Sequence, residues 1–287
     1  MAGAGGERSG APGPEEAGGA RASGAPAPEA ASGADAVHYE RVGAASVVTI
    51  DRQQRRNAVD GPTAEALHAA YLRFEADEDA RVMVLTGAGG VAFCAGADLK
   101  AQETFAGRLM SAEGPMGFTR LTPSKPTIAA ISGFALAGGL ELALWCDLRI
   151  ATHGSTLGYP ERRWGVPLID GGTQRLPRIV GLGRALDLIL TGRLIDSSEA
   201  HAMGMLTEVV APGEHLTRAL AIAEGLARFP QSTMLWDRRA AIEGFGMPLA
   251  DALALEATAG PEVFEDGARG AARFAAGEGR GGAGAGV

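Results

Sequence analysis

Residues 135–150, ALAGGLELALWCDLRI, read as a buried apolar segment with one residue out of place. Glu141 stands in its middle, two residues after the Gly138-Gly139 pair. An ionised carboxylate buried without partners is strongly unfavourable, so a chain that keeps one there pairs it, protonates it or uses it. The glycines add a second clue. At the start of a helix they leave backbone N–H groups unpaired and allow an anionic ligand atom to come close. Plain close packing against a neighbouring element explains a glycine pair equally well. Pro126 and Asp147 bound the apolar run, and Glu141 and three glycines interrupt it, which argues against a membrane span.

Working outward, strand and helix patterns alternate. Two β-rich runs broken at Gly43 (AVHYERVGAASVVTID, 36–51) precede a helix with a proline start signal (PTAEALHAAYLRFEADED, 62–79). RVMVLTG (81–87), TIAAISGFA (127–135) and DLRIAT (147–152) each predict a buried strand, and GGLELALWC (138–146) and GGTQRLPRIVG (171–181) predict helices. From RALDLILTG (184–192) the pattern turns helical. SSEAHAMGM, EHLTRALAIAEGLARF, STMLWDRRAAIEGF and LADALALEATAGPEVFEDGARGAARF predict four helices, with one strand, LTEVVA (206–211), among them. The reading is an α/β body with an α-helical C-terminal region.

The ends differ in kind. Residues 1–35 contain no Val, Ile, Leu, Phe, Tyr or Trp and predict a disordered Gly/Ala/Pro-rich tail. The expected organisation is therefore a tail at 1–35, a core at 36–230, a helical region at 231–276 and a Gly-rich tail at 277–287. The 287-residue chain is 46% hydrophobic and carries a net charge of −8, which supports a globular core and disfavours nucleic acid or an anionic membrane as partner. Two cysteines far apart, Cys94 and Cys146, fit neither a disulfide framework nor a zinc site, and a reducing cytoplasm is the simplest setting.

Three stretches compete for chemistry. VLTGAGGVA (84–92) satisfies GxGxxA after a strand, but FCAGAD follows where a dinucleotide site needs a helix. The five histidines are scattered, and no HExxH, GxSxG or GxxxxGK[ST] occurs. FCAGADLK (93–100) is rich in small residues beside a strand, so its amides could approach a ligand. Two such donors from separate loops make an oxyanion hole. Finally, Glu161 follows Glu141 after a short strand that returns the chain past the same place. Two acids converging in an apolar pocket raise at least one pKa, as acid–base chemistry requires. A salt bridge to Arg162 or Arg163 is the competing role for Glu161.

FCAGADLK, GFALAGGLELALWCD (133–147) and PERRWGVPLIDGGTQRLPRIVG (160–181) together resemble the enoyl-CoA hydratase/isomerase (crotonase) superfamily, over roughly residues 37–274. The resemblance implies a crotonase-like spiral of β-β-α units followed by C-terminal helices, assembled as trimers or dimers of trimers. It also implies that the N–H groups of Ala97 and Gly138 hold an acyl-CoA thioester oxygen. Glu141 and Glu161 fall on the two acids that hydratases use to add water to a 2-enoyl-CoA. Coenzyme A, part of the substrate, would run along Arg55, Arg56, Ala58 and Val59, with Ala95, Asp98 and Lys100; no metal or other cofactor is implied. Ile169 and Asp170 stand where hydratases typically carry small residues. Asp170 resembles the third acid of dienoyl-CoA isomerases, in a loop one residue longer, and it also suits an N-cap of the helix that follows. The expected activity is hydration. The alternatives are double-bond isomerisation on the same scaffold, and a CoA-ester-binding or RNA-binding relative without turnover.

Overall fold

The computed structural model describes residues 36–278; the tails expected at 1–35 and over most of 277–287 lie outside them. Strand β1 (Val37–Val42) pairs antiparallel with β2 (Ala45–Ile50) across Gly43. Its alternating half-buried and exposed residues mark it as an edge strand. Asp60 then caps helix α1 (Gly61–Ala76), accepting the Thr63 N–H at 2.9 Å.

From α1 onward the chain winds as a spiral, each turn laying one strand in each of two sheets. Strand β3 (Val82–Gly87) leads to β4 (Ala92–Cys94), β5 (Thr127–Ile131) to β6 (Phe134–Leu136), and β7 (Leu148–Thr152) to β8 (Thr156–Gly158). The larger sheet has the order β1-β2-β3-β5-β7-β10, ending on β10 (Glu208–Val210) and parallel from β2 onward. The smaller has the order β4-β6-β8-β9, with β9 (Leu194–Asp196) antiparallel to β8. Helix α2 (Gly138–Trp145) follows β6 and buries every residue from Gly139 to Trp145. Such a helix needs apolar residues all round, which is why it reads as a continuous apolar run.

The larger sheet is buried on both faces. Val48, Ile50, Met83, Leu85 and Ile131 join one core with α1 and α2. Val47, Val82, Val84, Ile128 and Ile150 face α6 (His215–Arg228) through Ala219 and Ala223. Strands covered on both sides are uniformly apolar, as observed in β3 and β5.

Two expectations are corrected. The segment 127–135 is two strands in different sheets, because the chain turns a corner at Gly133 (φ +67), where a Cβ would lie 2.0 Å from the Val91 carbonyl oxygen. The last predicted helix is two, α8 (Leu249–Glu256) and α9 (Pro261–Ala275). Pro261 cannot continue a helix through Gly260 and instead starts a new one. Between α2 and these lie α3 (Gly172–Val180), α4 (Leu182–Thr191), α5 (Ser197–Ala202) and, after α6, α7 (Gln231–Gly244).

Candidate active site

The GxGxxA stretch turns directly from β3 into β4 with no helix opening on it, so it forms no dinucleotide site. The FCAGAD loop instead meets the start of α2. Ala137 carries φ +52 and ψ −127, a conformation that residues with a Cβ rarely adopt. It turns the chain sharply from β6 into α2. Gly139 lies so close to β4 that a Cβ there would sit 2.1 Å from the Cys94 carbonyl oxygen. Gly96 also lies close, since a Cβ there would sit 2.9 Å from the Ala137 Cβ and 3.1 Å from the Gly138 nitrogen. Segment 55–59 is stitched alongside by the bonds Val59 N–H to Gly96 O (2.8 Å), Asp98 N–H to Val59 O (2.7 Å) and Ala95 N–H to Arg56 O (3.1 Å). These bonds occupy Ala95 and Asp98, while the N–H groups of Ala97 and Gly138 find no acceptor among the described residues. Both residues line one cavity of 880 Å³.

The same cavity is lined by Glu141, Glu161 and Asp170. Glu141 sits in the first turn of α2, and its Oε1 accepts the N–H groups of Asp170 (3.0 Å) and Gly172 (2.7 Å). Its other oxygen accepts no hydrogen bond among the described residues, and the side chain lines the cavity. Burial, then the neighbouring Asp170, push the Glu141 carboxyl up to about 8 against the pull of those two N–H groups. Glu161 lies on a short 3₁₀ turn, Pro160–Trp164, with both carboxylate oxygens buried and without a hydrogen-bond partner among the described residues. Burial pushes it up to about 7, and Arg162 forms no ion pair with it among the described residues. The buried acid at position 141 is thus half anchored and half free.

Asp170 is not the N-cap of α3. Gly171 holds that position with φ +100, and the Asp170 side chain turns away to accept the Met116 N–H (3.0 Å) and the Thr119 hydroxyl. Burial raises its pKa. Capping fails because a glycine in the left-handed region already starts the helix and aims the Asp170 carboxylate at the loop opposite.

Raised carboxyl pKa values make the fold sensitive to pH in a defined direction. Folded Glu141 holds its proton up to about 8, whereas its ordinary value is 4.5, so stability declines as pH rises through that window. Glu141→Gln removes the buried charge and keeps an oxygen for both N–H donors. It is expected to raise the melting temperature more at pH 8 than at pH 5, by the equivalent of about 3 kcal/mol. Equal shifts at the two pH values would refute a buried, perturbed acid.

Of the residues expected along coenzyme A, only Ala95 lines the cavity with the groups above. Arg55, Arg56 and Lys100 are exposed outside its lining, and Ala58 and Val59 are buried and do not line it. Asp98 is committed to Arg52, whose guanidinium lies 2.6 Å from Asp60 and 3.2 Å from Asp98. That buried arginine, which ties α1 to the FCAGAD loop, carries no motif by which the sequence could announce it. The same holds for Phe105, Leu109, Met110 and Met116, which line the cavity from a segment of turns and 3₁₀ helix without hydrophobic periodicity.

Comparison with known proteins agrees with this geometry. Residues 40–275 match the family model for enoyl-CoA hydratase/isomerase. The short-chain-enoyl-CoA hydratase of Clostridium acetobutylicum is 38% identical over 229 residues, 78% of this chain and 88% of that protein. A probable enoyl-CoA hydratase of Rhizobium meliloti is 39% identical over 243 residues, 83% of this chain and 93% of that protein. The crystal structure of an enoyl-CoA hydratase from Mycobacterium marinum superposes with a TM-score of 0.79 at 37% identity, covering 84% of this chain and 96% of that one. A two-sheet spiral, two unpaired amides and paired buried acids in one cavity, together with these matches, place the chain in the enoyl-CoA hydratase/isomerase family.

Proposed function

We propose that this chain hydrates trans-2-enoyl-CoA thioesters. The observation that carries the reading is the convergence of Glu141 and Glu161 in one cavity with the unpaired N–H groups of Ala97 and Gly138. The two amides receive the negative charge that develops on the thioester oxygen as water adds. Between about pH 7 and pH 8 the pair holds a single proton, favoured on Glu141 by burial and the neighbouring Asp170, and water adds from the tautomer that has Glu141 ionised on its two N–H donors and the proton on Glu161. The water oxygen bonds to C3 of the enoyl group while its proton passes to the Glu141 carboxylate. Glu161 gives its proton to C2 as the enolate collapses, and one proton then passes from Glu141 back to Glu161 through water, restoring the pair. Every charge in this sequence is met by a residue of the chain, so no metal or redox cofactor is required, and coenzyme A enters only as part of the substrate.

Loss of the conjugated thioester absorbance of crotonyl-CoA tests the reading directly. Turnover needs one acid ionised and the other protonated. Plotted against pH, kcat/KM is therefore expected to form a bell with limbs near 7 and 8. Acid below the first limb leaves no base; alkali above the second leaves no proton donor. A profile flat from pH 5 to 9 would remove the pair from the reaction.

The expected trimer, or dimer of trimers, is supported by α7, α8 and α9. None of them buries a residue, and they expose Phe245, Leu249, Leu253 and Phe264 nearby and along their lengths. A cytoplasmic setting is supported by two buried free cysteines, and no helix among the described residues is long and apolar enough to cross a membrane.

A further inference from the structure

The cavity has an open and a closed end. At the open end Met110 is 91% and Trp164 75% exposed; at the closed end Phe105 is 6% and Met116 1% exposed. Met116 is the deeper of the two, and its side chain lies against the site of carbonyl binding. A Cβ placed on Gly138 would lie 3.2 Å from both its Sδ and its Cε.

What holds Met116 there is the side chain of Asp170. Its Oδ1 accepts the Met116 N–H at 3.0 Å and also the Thr119 hydroxyl. Arg175 braces the same joint, donating to the carbonyl oxygens of Asp170 (2.9 Å) and Thr119 (2.5 Å), and Arg120 donates to that of Ile169 (3.2 Å). The segment carrying Met116 has no regular secondary structure of its own to fix it.

We propose that Met116 closes the acyl pocket and limits the length of acyl chain the site accepts, and that Asp170 is the positioning residue that holds it in place. The inference rests on the acyl-CoA reading above and deepens it by naming short-chain thioesters as the preferred class. It also gives Asp170 a role other than proton transfer, since its Oδ1 is shared by two donors on the loop that carries Met116.

The test measures dissociation constants of saturated acyl-CoAs from butyryl to decanoyl by calorimetry, beside kcat/KM for the matching enoyl-CoAs. In the unaltered chain both are expected to favour the short members. Met116→Ala opens space for about two methylene groups, and one misfitting methylene in an apolar pocket is worth about tenfold or more. The hexanoyl-to-butyryl affinity ratio is therefore expected to rise at least about tenfold. Asp170→Ala should shift the ratio in the same direction, whereas Asp170→Asn, which keeps an acceptor oxygen, should retain the original ratio. Should Asp170→Ala fail to fold, Met116→Ala and Asp170→Asn still decide. A ratio unmoved by Met116→Ala, or moved as far by Asp170→Asn as by Asp170→Ala, overturns the proposal. A chain that binds this series with the expected ratio yet hydrates none of it sinks the hydratase reading while sustaining the pocket assignment. One that binds no acyl-CoA sinks both.

Discussion

Glu161→Gln and Glu141→Gln are each expected to lower crotonyl-CoA hydration by about 10² to 10⁴ while leaving the affinity for a saturated acyl-CoA nearly intact. That range is what a positioned general acid or base contributes. Glutamine preserves the shape of either side chain and cannot exchange the proton. For Glu161 the expected loss comes wholly from the missing proton, because among the described residues its carboxylate oxygens make no hydrogen bond that the substitution would break. For Glu141 the amide oxygen can still accept the N–H groups of Asp170 and Gly172, so the loop is expected to stay in place. Steady-state turnover read beside calorimetric binding separates the two contributions. A variant with near-normal turnover would exclude that residue from acid–base chemistry, and one that lost binding in proportion to turnover would have acted through structure instead.

Gly139→Ala is expected to damage both the fold and the site. The added Cβ would fall 2.1 Å from the carbonyl oxygen of Cys94, a backbone atom with no freedom to rotate aside. Overpacking at such a point costs on the order of 3 kcal/mol, because α2 must lift from β4. Lifting α2 also moves Gly138, one of the two amides proposed to hold the thioester oxygen, and loss of one such donor typically lowers turnover by about 10² to 10³. Thermal melting and crotonyl-CoA turnover should therefore fall together. If the variant kept both, the close approach of α2 to β4 would not be needed for the activity. Gly183, where a Cβ meets nothing within 4 Å, supplies the control, and Gly183→Ala should leave both measurements close to those of the unaltered chain.

Local signals account for most of what could be read without coordinates. The buried strands β3, β5 and β7 and the all-apolar α2 stand out because elements covered on every side must be apolar on every side. Glu141 is conspicuous for the same reason, as a charge in a run that tolerates none. Glycines at 138 and 139 mark the helix entrance, and the three motifs in order carried the resemblance to the family. The corner at Gly133 and the break at Gly260-Pro261 were missed because a single glycine or proline in a periodic run is consistent with either a kink or a change of element.

Tertiary contacts alone decided the rest. No local pattern says that Asp170 turns from α3 to a loop more than fifty residues earlier, or that its N–H reaches Glu141. Nor does one say that Arg52 is buried between Asp60 and Asp98, or that Met116 lies against Gly138. A hydrogen bond or a contact across such separations depends on how the two sheets and α2 stack, and periodicity reports only which face of an element is covered, not by what. The raised pKa values of Glu141 and Glu161 have the same origin. Burial raises both, and the neighbouring Asp170 raises Glu141 further; both effects exist only once distant segments have closed around the two carboxyl groups.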